Sequence, residues 1–574
     1  MKQIVFLLIF FICFPAYAEA ITVVHPSWTD VLLFKENNKI CRSHNNDCAT
    51  IKKRTPDIIT LKWENWGEET FIRQNDFYVL SDGQNLIEEE YSELEYTLES
   101  PYIKLNPYGT APLTALVKFK TDKPARISWT VKGLNGSTDI TSPPSPLSTE
   151  HSLTVFMLYP GTKNNVLLNA TFNDKTRQTV SIDIQTQKIK KKKLIIPIIR
   201  EQSNPYYYYH FDGDITDEDG FIRYTFSTTH IVYLINNEII VENRAYGLTR
   251  YALSGKKLQS YPYPKGFLSF EHGIGVTPTG NFLVIGSFNG TMARIDGNIF
   301  ETHRDIILEI DKKSGKILKK WDLANLMNPD RSVIVKSSER DFGKIDWCHM
   351  NSVQYDTDDD SLVVSCRHTG MLKIGYHSGD LKWLFGPNVE YHKSGRDGMG
   401  KSISDKVLTA VQTINGKQEP LPLKIQQGYK KHPNFKWPTK THDAKAIGNN
   451  LYSIFDNSGE IYDKSIATSK NSHASIFKID PVKKTIEHIW HMPLNGHSPA
   501  GSGVTYDQKT QSVTVFLSQE KDKNTDMDIG HLIRYDFKTK KKLFETKIYT
   551  PYWIYRIEPI DIPSLLKKET LNTP

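Results

Sequence analysis

The chain reads as all-β: an N-terminal β domain followed by a propeller-like array of four-stranded units. Three observations predict this. Short apolar runs, alternating or rich in Val, Ile and Phe, are separated by Gly, Pro, Ser and Asn clusters, the pattern of strands and turns. A strand–turn–strand pattern recurs between about residues 200 and 560. The composition, with 34 glycines, 29 prolines and 11% aromatic residues, suits a turn-rich β protein. At 574 residues the chain is too long for one ordinary core, so two domains or one large repeat array are expected.

The N-terminus comes first. Lys2 precedes an apolar run from Ile4 to Phe14 and then Ala16-Tyr17-Ala18. A basic start, a short apolar stretch and small residues make a secretory signal peptide, residues 1–18, with cleavage expected after Ala18. Cys13 lacks a lipoprotein-like context, so no lipid anchor is expected. No later segment has about 18 uninterrupted apolar residues, so the mature chain should not span a membrane. The expected location is periplasmic. The net charge of +7 is mild and by itself gives no argument for nucleic acid. Once Cys13 is removed, Cys41, Cys48, Cys348 and Cys366 remain, an even count that permits disulfides in an exported protein. Cys41 and Cys48 flank a short polar loop and should pair. Cys348 and Cys366 stand open between a cross-strand disulfide and two buried thiols.

Residues 19–190 form the N-terminal domain. Leu113 to Phe119, Ala125 to Val131 and Leu153 to Tyr159 read as strands, and Gly136 to Glu150 as a loop. The basic run Lys188 to Lys193 reads as a solvated linker.

Residues 191–574 carry the repeat. Four segments begin at Glu271, Cys348, Thr441 and Pro499, and each is a short strand, a turn and an apolar strand. Amphipathic hairpins beginning at Asp305, Ala474 and His531 intervene. One inner plus one outer hairpin gives four strands per unit, and five to six such units predict a propeller.

The chemistry concentrates from Asp346 to Gly370. Two short strands joined by the turn Asp356 to Asp360 bring His349 within one step of Arg367, and period-two alternation puts Asn351 on the face of His349. A histidine, an amide and a guanidinium together suit an oxyanion. Aligning the repeats on Val276, Val353, Ala446 and Val504 places His272, His349 and His442 four residues earlier in each of three units. Asn351 and Ser502 stand two residues before the anchor. Equivalent positions in different units lie at similar height, so the three histidines should meet at one mouth of the channel. A lone histidine at a strand start is ordinarily a surface or capping residue; three in one register, one facing Arg367, are not.

On DWCHMNSVQYD and SCRHTG, THDAK followed by FDNSG, LKWLFGP and DKVLT, the chain resembles the bacterial arylsulfate sulfotransferases. NPYGTAPLTALVKF and HSLTVFMLYPG resemble that family's first domain. The resemblance implies a six-bladed propeller behind a small N-terminal β-sandwich, and sulfuryl transfer from an aryl sulfate donor to a phenolic acceptor. It implies a ping-pong route through a sulfated histidine, with no nucleotide donor and no cofactor. By motif match His442 is the nucleophile, His349, Asn351 and Arg367 bind sulfate, and His272 is a further site histidine. Ser502 stands in for a hydroxyl residue of the family, Gly501 having replaced it. The family's loop cysteine pair after the arginine strand is absent, and a homodimer is implied by resemblance alone.

Elementary chemistry is consistent with this. Charge on the peripheral sulfuryl oxygens can be held by Arg367, Asn351 and imidazole N–H groups without a metal. His272 or His349 can supply a proton to the leaving phenolate. Tyr206 to Tyr209 and Trp437 are candidates to hold the ring. A metal-dependent hydrolase is the first alternative, since three histidines can bind zinc, but Arg367 beside them would repel the ion. An anion-binding propeller without catalysis is the second.

Overall fold

The computed structural model describes residues 20–572 apart from 26–27, 36–37, 43–46, 56–57, 64–66, 75–76, 81–95, 190–193, 201–206, 229–230, 244–246, 265, 296–297, 328, 330–339, 342–343, 388–400, 459–467, 522–524 and 526. The expected signal peptide and Tyr206 lie outside the described residues. The protein is all-β, as its strand periodicity requires.

The stretch read as one N-terminal sandwich holds two hydrogen-bonded sheet systems. Seven strands between Ala20 and Leu80 close into a barrel around Val23, Leu32, Ile40, Leu61 and Phe71. Cys41 and Cys48, cross-strand partners there, form a disulfide. The second system is a six-stranded sheet built on the 17-residue strand Ala115–Val131, with Lys163–Phe172 and Arg177–Gln185 beyond it. It is an Ig-like domain. Its buried face, with Trp129, Phe156 and Val166, shares a core with Tyr224 and Val232 of the following sheets and with Leu565 of the C-terminal helix Ile562–Asn572.

Six further sheets follow, each containing a meander of four strands. They are numbered here by their lead strands. The first is led by Glu558–Asp561, which pairs back onto Tyr207–Phe211, so the end of the array hydrogen-bonds to its start. The second is led by Ile231–Ile235, the third by Phe267–Val276 and the fourth by Met350–Asp356. The fifth is led by Thr441–Ala446 and the sixth by Gly503–Asp507. The hairpins expected from the sequence are there. Asn298–Ile310 with Ile317–Asp322, His473–Asp480 with Thr485–Pro493, and Asp528–Asp536 with Lys542–Thr550 are the outer pairs of the third, fifth and sixth sheets.

Separate apolar clusters join successive sheets. Ile240 and Leu248 meet Val284 and Ile306, and Leu283 and Ile307 meet Leu362 and Leu372. Trp383 meets Tyr452 and Phe477, and Ile476 and Trp490 meet Val513 and Val515. The sixth sheet meets the first through Phe516, Leu532, Tyr209 and Phe211. A sheet covered on both faces must be apolar on both, which is why Ser361–Cys366 and Gly370–Gly375 are buried at every position.

Candidate active site

The site forms where the starts of several lead strands converge. In the fourth sheet Met350 pairs with Cys366 and Ser352 with Ser365, so Asn351 is an extra residue and the strand bulges there. His349 stands just before the bulge with φ 53°, in the left-handed region that non-glycine residues rarely adopt. The Arg367 N–H donates to the His349 carbonyl at 3.0 Å, so the two are cross-strand neighbours, as the turn predicts. Cys348 and Cys366, each one residue earlier, are joined in a disulfide, which resolves the open expectation.

The third, fourth and fifth sheets bring the three histidines together around a residue the repeat alignment missed, Tyr555. The His272 ring lies 4.7 Å from that of Tyr555, nearly parallel to it, and 5.3 Å from that of His349. His442 meets Tyr555 edge-on at 5.0 Å. His442 is buried, and its Nδ1 lies 2.8 Å from the Ser502 carbonyl oxygen. A carbonyl can only accept, so Nδ1 carries the proton and Nε2 the lone pair. Nε2 then accepts from the Tyr555 hydroxyl at 2.6 Å. Burial first, then the charges of Arg556 and Arg367 and the neighbouring His272, hold His442 well below the ordinary imidazole value. The imidazole is therefore neutral near pH 7, with a single outward-facing basic nitrogen.

Two guanidinium groups flank it. Arg367 Nη1 donates to Asn457 Oδ1 at 3.3 Å, and Nη2 donates to the Pro499 carbonyl. Arg556 donates through Nη2 to the Asn351 carbonyl at 2.9 Å, and its Nε lies 3.3 Å from Asp443. Asp443, adjacent to His442, also holds Lys445 at 3.0 Å. On the other side His349 Nδ1 lies 2.5 Å from Asp346 Oδ2. A cavity of about 520 Å³ opens beside His272, which lines it together with Ile274, Tyr233, Trp553, Tyr555 and Arg556 among others.

Two expected ligands face elsewhere. The Asn351 amide donates to the Thr441 carbonyl at 2.8 Å and accepts from the Asp443 N–H at 3.1 Å, bracketing His442 from behind. The bulge explains the difference, because it breaks the alternation that put Asn351 beside His349. The Ser502 hydroxyl is fully buried, donating to Ser498 at 3.0 Å and accepting from the Ser518 N–H at 2.9 Å. Ser502 touches His442 through its carbonyl. Its flanking glycines have steric reasons: a Cβ on Gly501 (φ 70°) would sit 2.5 Å from the Tyr555 carbonyl, and one on Gly503 2.4 Å from Asp443 Oδ2. Tyr208, Tyr209 and Trp437, read as ring holders, are buried in apolar cores.

Tyr555, Arg556 and Asp346 were not anticipated. Asp346 was visible as D-x-x-H ahead of His349; Tyr555 and Arg556 precede a lead strand that carries no repeat signature. Among the described residues no group of three or more His, Cys, Asp or Glu side chains is arranged to hold a metal ion. None of the described helices is long and apolar enough to cross a membrane.

Comparison with known proteins places the chain in a family. The family model described as Arylsulfotransferase (ASST) matches residues 184–556, and that of the Arylsulfotransferase Ig-like domain matches 102–187. The arylsulfate sulfotransferase AssT of Escherichia coli O6:H1 is 26% identical over 343 residues, 52% of this chain and 53% of that protein. AssT of Lelliottia amnigena is 25% identical over 328 residues, 50% of this chain and 52% of that protein. The chain thus spans about half the length of the curated relatives it matches. A solved structure, BamB from Moraxella catarrhalis, covers 55% of this chain and 74% of its own at 10% identity, and its TM-score of 0.26 carries no argument. With the Arylsulfotransferase (ASST) model matching well over half its length, the chain belongs to the arylsulfotransferase family.

Proposed function

We propose that this protein is an aryl-sulfate sulfotransferase. It moves a sulfuryl group from an aryl sulfate to a phenol by a ping-pong route through a sulfated His442. One observation carries the reading. The lone pair of a neutral, pinned imidazole lies 2.6 Å from a phenolic oxygen, that of Tyr555, between two guanidinium groups. The Tyr555 hydroxyl marks the direction of that lone pair, along which a sulfuryl sulfur would approach once the hydroxyl gives way. A neutral imidazole is a competent nucleophile. Arg367 and Arg556 supply fixed positive charge for sulfuryl oxygens, and His272 and His349 supply exchangeable protons. Asn351 and Ser502 hold His442 rather than the anion. The aromatic wall of Tyr555, Trp553 and Tyr233 receives the aryl group.

In the same reading the six sheets are the blades of a propeller, closed by the pairing of Glu558–Asp561 with Tyr207–Phe211. Residues 191–574 are then the catalytic domain, preceded by two small β units, and the chain is exported to the periplasm. The family relationship supports the activity, since both curated relatives are named arylsulfate sulfotransferases. The test is release of 4-nitrophenolate from 4-nitrophenyl sulfate. Sustained release that requires an added phenol, with sulfate appearing on that phenol, is expected. Release at the same rate into water alone would make the protein a sulfatase and overturn the reading.

A further inference from the structure

We infer that Asp346 is a positioning residue that makes His349 the proton carrier of the site. This rests on the transferase reading and decides which of two histidines exchanges protons with the phenolic oxygens. Asp346 Oδ2 lies 2.5 Å from His349 Nδ1. A carboxylate there accepts the Nδ1–H, which fixes that tautomer and leaves Nε2, across the ring, as the nitrogen that gains and loses a proton. The carboxylate also stabilises the imidazolium when it forms.

The pair is held from every side. Trp347, between its two members, is fully buried and donates its indole N–H to the His303 carbonyl at 3.1 Å. Cys348 is bonded to Cys366, and the His368 N–H donates to the Cys348 carbonyl at 3.2 Å. The Arg367 N–H holds the His349 carbonyl. A dyad so constrained has its geometry before substrate arrives.

The surrounding charges favour an ionised Asp346. Burial opposes its charge, but His349, by charge and hydrogen bond, outweighs that and holds the carboxyl well below its usual range. Behind it, Asp305 is fully buried; burial, followed by the charges of Asp346 and Asp322, pushes its carboxyl well above the usual range. Asp322 is itself paired with Arg304 at 2.5 Å. The two carboxyls are thus pushed in opposite directions, Asp305 toward its neutral form and Asp346 toward its charged one. Across the cleft His349 faces the His272 ring at 5.3 Å and, on its own sheet, the His368 ring at 5.8 Å. Burial first, with His349 and then Arg367 and Lys440 as further causes, outweighs Asp346 and keeps His368 neutral.

The half-reactions then balance. The His442 Nε2 lone pair forms the N–S bond as the aryl S–O bond breaks. The electron pair of that bond leaves on the phenolic oxygen, which takes a proton from the His349 imidazolium. In the second half the acceptor phenol returns a proton to neutral His349 Nε2 as its oxygen bonds sulfur, and the N–S electron pair goes back to His442.

The test is the dependence of rate on leaving-group basicity. Phenol ionises near pH 10, and 4-nitrophenol is far more acidic, so only the former needs a proton donor. Asp346→Asn should lose ~100-fold or more in kcat/KM with phenyl sulfate, the usual scale of general acid catalysis, but less than ~10-fold with 4-nitrophenyl sulfate. His349→Gln should show the same discrimination, and the double variant should lose little beyond either single one. Equal losses with both donors would reduce Asp346 to a structural role and overturn the inference. Wild-type protein gives an independent reading through the nitrogen-15 spectrum of its histidines. Neutral His349 should keep its proton on Nδ1 and leave Nε2 bare; a neutral Nε2–H form would overturn it. Failure of wild-type transfer altogether would instead strike the transferase reading.

Discussion

Among the described residues, two groups of three histidines differ in their surroundings. His272, His349 and His442 come from three sheets and meet where His272 lines a cavity, with Tyr555, Asp346, Arg367 and Arg556 as neighbours. His473, His488 and His491 come from the outer hairpin of the fifth sheet alone. There His473 and His491 stack at 4.9 Å, with Nδ1 of the first 2.7 Å from Nε2 of the second, and His488 stacks on Phe477 at 4.2 Å. Burial is the first cause of low basicity in this second group, which brings His491 to about 4 and His473 to about 3. Proximity of imidazoles is thus no mark of chemistry. What separates the groups is the company: groups that fix a tautomer, supply charge and open onto space for a substrate, against packing partners that fill a core.

The largest expected difference follows from substitution in each group. His442→Ala should lower transfer by at least ~10⁴-fold, the scale seen on removing a catalytic nucleophile, with a melting temperature close to wild type. His488→Ala should do the reverse, lowering the melting temperature while the folded fraction keeps its kcat/KM; deletion of Phe477-stacked volume is a packing loss of ~1–3 kcal/mol. If both variants lose activity and stability alike, the distinction fails. Arg367→Ala comes next, with an expected loss of ~10²–10³ in kcat/KM, the cost of one charge-stabilising donor.

Asn351→Ala sharpens the comparison differently. It leaves the Thr441 carbonyl and the Asp443 N–H without their present partner, so a stability loss of ~1–3 kcal/mol should accompany reduced activity. Denaturant midpoints and donor KM measured together check this; a large rise in KM with unchanged stability would return Asn351 to sulfate binding.

These residues also show what was legible in the sequence. The hairpins could be read because alternation and turn chemistry are local. The meeting of His272, His349 and His442 could be read because a repeat carries register from one unit to the next. Asn351 was misplaced because the bulge depends on the positive φ of His349, which a histidine does not advertise. Ser502 was expected to offer its hydroxyl, and only the fold reveals that its carbonyl accepts from the His442 imidazole. Tyr555 and Arg556 stand before Glu558–Asp561, a four-residue strand without alternation whose partner lies at the other end of the array. The N-terminal barrel and the Ig-like sheet are separated in sequence by the acidic stretch 81–95, which is the trace of a break between them.

The pH dependences should separate as well. Burial and the neighbouring cations hold His442 well below the ordinary imidazole value, so lowering the pH from 7.5 to 6.5 should not protonate the proposed nucleophile. The initial rate with 4-nitrophenyl sulfate should stay level over that range. Stability behaves differently. The buried histidines of the fifth sheet take up protons near 6.5 only when unfolded and near 3 to 4 when folded. Their contribution is therefore complete above about pH 6.5 and is lost progressively as the pH falls toward 4. Urea midpoints measured from pH 7 to pH 4 should decline, and less steeply in His473→Gln. The smallest effect is expected from exhaustive chelation, which should leave transfer unchanged because the proposed chemistry uses guanidinium groups and imidazoles only.

Mass spectrometry of the enzyme incubated with 4-nitrophenyl sulfate and no acceptor addresses the covalent step itself. The peptide bearing His442 should gain one SO₃ unit, lose it on addition of phenol, and remain unmodified in His442→Ala. Steady turnover with the sulfuryl group found on another residue, or on none, would contradict a histidine-bound intermediate.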